Sequence, residues 1–158
     1  MTRTYKNDAD LLKSAVETWN PTLQTILPVT NLTSTITFQC LPTSVTSRAV
    51  TTGGNALGLE ANKESLVLAV ITSQWSAEAD DSRVENMAEE VFTRTDVEAE
   101  SRNLTNRWVY LNYAGPFQDP ITGYGEANKM KLQAVSKKYD PRGIFQFGVP
   151  GGFKVFTD

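Results

Sequence analysis

The amino-acid sequence predicts an α+β fold, an antiparallel sheet with helices packed on one face. Three segments repeat apolar residues with helical period, three others alternate or run apolar over strand length, and the order is helix, strands, long helix, strand, helix. A sheet covered on one face has another face that must meet something, and that face is expected to line a pocket or a subunit interface. At 158 residues and 40% hydrophobic, the chain has the size of one ordinary domain, and residues 1–158 are read as one.

Met1 to Lys6 is polar and leads into a helical pattern, without the apolar core of a signal peptide. From Asp8 to Trp19, the residues Leu11, Leu12, Ala15, Val16 and Trp19 fall on one stripe, Asn7 or Asp8 is placed to cap the start, and Asn20-Pro21 ends the helix. Ser34 to Cys40 alternates, with Ile36, Phe38 and Cys40 on one side, as a half-buried strand does; Cys40 is read as a core residue. In "TTGGNALGLE" the Gly53-Gly54 pair suggests a turn or bulge leading into a strand, and the segment lacks the flanking elements and lysine of a phosphate loop.

Ser65 to Trp75 is nearly all apolar and is expected to be the central strand, buried on both faces. Ala77 to Arg102 reads as a helix with Val84, Met87, Ala88, Val91 and Phe92 inward. Arg107 to Tyr113 is expected as a strand with Trp108, Tyr110 and Asn112 on one face and Val109, Leu111 and Tyr113 on the other. A last helix, Tyr124 to Tyr139, should turn Met130, Leu132, Val135 and Tyr139 inward and stop at Asp140-Pro141.

Composition narrows the function. The net charge of -3 and scattered Lys and Arg leave no basic field for nucleic acid. One cysteine and no histidine exclude an internal disulfide, a Cys/His zinc site and any Ser-His or Cys-His nucleophile pair. The carboxylates Glu78, Asp80, Asp81, Glu85, Glu89 and Glu90 lie outside the apolar stripe of their helix and read as a solvated face, so no metal is expected. No apolar run approaches a membrane span, so a soluble, cytoplasmic protein without membrane insertion is expected, and the triplets at Asn31 and Asn103 are read as chance glycosylation signals.

Several unlike elements recur in order near the C-terminus: Tyr110-Leu-Asn-Tyr113, Gln118-Asp-Pro-Ile121, Tyr124-Gly125, Asn128, Lys138-Tyr-Asp-Pro141 and Phe145. In these the chain resembles the berberine bridge enzyme-like FAD-linked oxidases, particularly the fungal branch with vanillyl-alcohol-oxidase architecture. "GGNALGL" and the run to "SQWS" look like earlier pieces of the same region. The resemblance covers nearly the whole chain but only the C-terminal part of a family member: the substrate domain and closing segment, without the flavin domain. It implies that Tyr113 corresponds to the tyrosine that often deprotonates substrate and that Tyr110 and Asn112 line the same region. Ala114-Gly115-Pro116 follows where family members frequently carry a charged residue.

Oxidation by hydride transfer needs a flavin to accept the hydride. With no cofactor expected, what remains is an aromatic-lined face able to orient an organic substrate. The leading expectation is a flavin-independent cyclase or isomerase, in its most concrete form a pericyclase for a Diels-Alder-type cycloaddition, acting on a hydrophobic natural-product intermediate of fungal secondary metabolism. Tyr113, Tyr110 and Asn112 are its candidate catalytic residues, with Trp108, Phe38 and Trp75 against the substrate. The alternative is a non-catalytic pseudoenzyme or partner subunit of a separate FAD-dependent oxidoreductase. The face from which the flavin domain is missing is expected to pair two copies as a homodimer.

Overall fold

The computed structural model describes residues 1–60 and 63–156. Four strands, β1 (Thr2–Lys6), β2 (Thr33–Leu41), β3 (Leu66–Gln74) and β4 (Thr105–Asn106), form one antiparallel sheet in the order β2-β3-β1-β4. The expected α+β architecture is therefore present. Its helices are α1 (Ala9–Gln24), α2 (Thr43–Thr46), α3 (Arg48–Thr51), α4 (Asp81–Ser101), α5 (Pro120–Gly123) and α6 (Glu126–Tyr139).

The β3 run is an inner strand with Leu66 to Ile71 all buried, because both of its faces are covered. Alternation divides it. Val67, Ala69 and Ile71 meet Tyr5 and the stripe of α4, and this side forms the larger core with Leu11 of α1. Leu66, Leu68 and Val70 face the opposite way and form a second cluster with Leu59, Trp108, Ile121 and Tyr124.

The polar N-terminus does not lead straight into a helix; it is the other inner strand. Thr2, Thr4 and Tyr5 are buried, β-branched threonine suits the pleat, and the Thr2 hydroxyl donates to the Ala69 carbonyl at 3.0 Å. The side chain of Tyr5 reaches α4, where its hydroxyl donates to Asp96 at 2.7 Å; burial, then the Asp96 carboxylate, push its phenol pKa well up. Arg3 joins the same carboxylate at 3.0 Å. Only Thr4 and Tyr5 pair with β4. Further along that edge the Gln118 amide substitutes for a strand: its oxygen accepts from the Thr2 N–H at 3.0 Å and its nitrogen donates to the Thr2 carbonyl at 2.8 Å.

Helix α1 starts at the Asp8 cap, whose carboxylate accepts from the Leu11 N–H at 2.9 Å. It does not end at Asn20-Pro21 but runs through Pro21 to Gln24. Buried Thr22 donates to the Thr18 carbonyl at 2.8 Å, and Leu23 packs on the core, so tertiary contacts hold the last turn despite the missing proline donor. Val16 is exposed rather than inward, and so is Cys40, which lies at the end of the edge strand β2. The GGNALGL segment leads into no strand: it stays a loop, and β3 begins only at Leu66.

All five apolar residues expected to face inward from α4 are buried. Among the described residues no group of three or more His, Cys, Asp or Glu is placed to hold a metal, and no helix is long and apolar enough to cross a membrane. Helix α6 ends at Tyr139 as the Asp140-Pro141 signal requires, yet it buries no residue, and Met130, Val135 and Tyr139 face outward. Only Leu132 of that stripe packs on the second cluster.

Candidate functional site

The second face of the sheet opens into a cleft of about 480 Å³, within the range of small-molecule sites. Its floor is Leu68 of β3 with residues 39–41 of β2, one wall is built by α2, α3 and the loop through Leu57 and Leu59, and the other by Trp108 and Tyr110. Apolar side chains dominate. Gly58 sets the loop wall: at φ +73° it lies so close to the polypeptide that a Cβ there would collide with the Tyr124 carbonyl oxygen. Asn128 donates to that same oxygen at 3.0 Å, so Gly58, Tyr124 and Asn128 join the loop to the start of α6.

Residues 107–110 do not continue β4, and Leu111–Tyr113 forms a 3₁₀ turn. A strand would have put Tyr110 and Tyr113 on opposite faces; the turn brings them together. Trp108 and Tyr110 stack with centroids 5.6 Å apart, and Tyr110 meets Tyr113 edge-on at 4.9 Å. The Asn112 amide donates to the Tyr110 hydroxyl oxygen at 2.9 Å, and the Gln39 amide donates to the Tyr113 hydroxyl oxygen at 3.1 Å. Each phenol oxygen thus accepts from an amide and keeps its own proton to donate.

Trp108 is only 4% exposed, and its indole N–H has no partner among the described residues. Burial, then neighbouring Tyr110, raise the pKa of Tyr124, so that phenol stays neutral beside the aromatic wall.

Of the sequence-predicted residues, Trp108 and Tyr110 line the cleft, while Tyr113 and Asn112 reach it indirectly, through hydrogen bonds to Gln39 and Tyr110. Phe38 and Trp75 are not brought there. Both pack against the helix-side core, and the Trp75 indole donates to Asp81 at 2.7 Å. Sequence reasoning missed Gln39, Arg48, Leu57 and Leu68. Arg48 had a readable signal, being the only charged residue between Glu17 and Glu60.

No protein-family model matches the chain, and no solved structure matches it. Among curated proteins it is 35% identical to the FAD-dependent monooxygenase drtC of Aspergillus calidoustus over 98% of this chain and 30% of that protein. It is 42% identical to the FAD-dependent monooxygenase sdcF of Emericella nidulans over 65% of this chain and 22% of that protein. To the bifunctional solanapyrone synthase of Alternaria solani it is 38% identical over 54% of this chain and 17% of that protein. The chain thus spans less than a third of the length of these fungal relatives.

Proposed function

We propose that the chain is the substrate-side domain of a berberine bridge enzyme-like protein and that its cleft folds a hydrophobic natural-product intermediate for flavin-independent ring closure. The observation that carries this reading is the apolar cleft with one aromatic wall and a phenol, Tyr110, whose proton is free to donate. The likeness to a bifunctional synthase supports it.

In a Diels-Alder-type cycloaddition new carbon–carbon bonds form at the expense of π bonds within the substrate, and no atom or electron enters or leaves. Such a reaction asks the protein for shape and polarity. Holding a flexible polyene in its reactive conformer contributes up to about 7–11 kcal/mol in the best-oriented cases. The Tyr110 hydroxyl, polarised by the Asn112 amide, donates to a substrate carbonyl and withdraws electron density from the attached alkene. Trp108 and Leu68 supply the apolar surface that excludes water.

The test is incubation of purified protein, shown by absorbance to carry no flavin, with a linear polyene bearing a carbonyl-activated alkene. Faster closure than in buffer and one dominant stereoisomer are expected; the buffer rate with the buffer isomer ratio would sink the proposal.

A second reading, a partner of a separate FAD-dependent oxidoreductase or of a second copy, is favoured by the apolar residues left outside. Tyr139, Phe145 and Phe147 are exposed along α6 and the turn after it. Copurification with a flavoprotein, and activity appearing only on mixing with one, would favour it over the first.

A further inference from the structure

The polar groups of the cleft indicate what sort of ligand it takes. Most are already engaged with the protein. Gln39 donates to Tyr113, Thr46 to the Thr43 carbonyl and Thr52 to the Arg48 and Ala49 carbonyls, while Asn55 accepts from the Leu57 N–H. Arg48 differs. It lines the cleft, its side chain is exposed, and its guanidinium has neither an ion-pair nor a hydrogen-bond partner among the described residues. Arg3 and Arg102, by contrast, each bind two carboxylates.

Among the described residues no carboxylate lines the cleft, so an ammonium group would meet no counter-charge there. The donors left over include the Arg48 guanidinium, the Tyr110 hydroxyl, the Asn55 amide nitrogen and the buried Trp108 indole N–H; all ask for an acceptor, and only Arg48 brings a charge. One guanidinium presents a planar fork matched to the two oxygens of a carboxylate, whereas a doubly charged phosphate would call for further cations that this lining lacks.

We propose that the ligand is an amphipathic carboxylate, its anionic head on Arg48 and its carbon skeleton against Leu57, Leu68 and Trp108. This rests on the reading of the cleft as the substrate site and adds the class of molecule that enters it.

The test is fluorescence titration of the full chain with cis-parinaric acid, a conjugated polyene carboxylate, and with its methyl ester, in the wild type and in Arg48→Gln, Arg48→Glu and Ala49→Trp. The acid should bind the wild type on the order of tenfold more tightly than the ester, as a charge-assisted hydrogen bond at an open site would give. Arg48→Gln should weaken the acid by about the same factor and leave the ester unchanged, Arg48→Glu should weaken the acid further, and Ala49→Trp, which fills the cleft, should abolish both. Arg48 is exposed, so unchanged melting of its variants is expected.

Equal binding of acid and ester, or acid binding untouched by Arg48→Gln, would overturn the head-group assignment while the cleft reading stands. Failure of the wild type to hold either probe, or binding that survives Ala49→Trp, would overturn both.

Discussion

Phe92→Ala is expected to cost about 3–5 kcal/mol of stability and to lower the melting temperature by on the order of 10 °C. Phe92 is 0% exposed in the core between α4 and the sheet, and its ring also carries the Arg3 guanidinium at 5.6 Å. Truncation leaves a void beside Tyr5 and Val91 and removes the surface on which Arg3 lies while it holds Asp96. Phe147, 82% exposed, provides the control: Phe147→Ala should change stability by less than about 0.5 kcal/mol. Thermal melting of the two variants distinguishes them. Equal losses would mean that the C-terminal segment holds the fold together as much as the helix-side core does.

Tyr110→Phe should lower kcat for ring closure on the order of 10²-fold with little change in KM, because it removes the proton donated to the substrate carbonyl but keeps the stacked ring. Tyr113→Phe should cost less than about tenfold, since Tyr113 does not line the cleft and its hydroxyl accepts from Gln39. The resemblance points the other way, to Tyr113 as the residue handling the proton. Steady-state rates of the two variants decide between them. Should Tyr113→Phe prove the crippled enzyme, Tyr110 is a wall of the cleft and no more.

The parts of the fold legible in the sequence are those where one periodic stripe meets one buried surface. The β3 run, the β2 alternation and the five inward residues of α4 are of this kind. β1 is not, because five mostly polar residues become an inner strand only when their backbone pairs with β3, the Thr2 hydroxyl finds the Ala69 carbonyl and α4 supplies Asp96 to Tyr5 and Arg3. The 107–113 segment has strand-like residues, but the edge of β1 that it would extend along is taken by the Gln118 side chain, so the backbone is free to turn. On α6 the stripe exists and faces outward, since periodicity records which residues share a side and not what covers them. The candidate site was half legible for a related reason. Its aromatic wall lies in one short motif, whereas the opposite wall is assembled from two single-turn helices and a loop set by Gly58, which no period marks.

The most direct measurement is methyl and indole NMR of the protein titrated with a linear polyene carboxylate. Shifts at Leu41, Leu57, Leu59, Leu68 and Trp108, with Val67, Ile71 and Trp75 on the helix side unmoved, are the expected result. Shifts confined to the helix side, or to exposed Ile144 and Val149, would contradict the assignment of the second sheet face as the place where substrate binds.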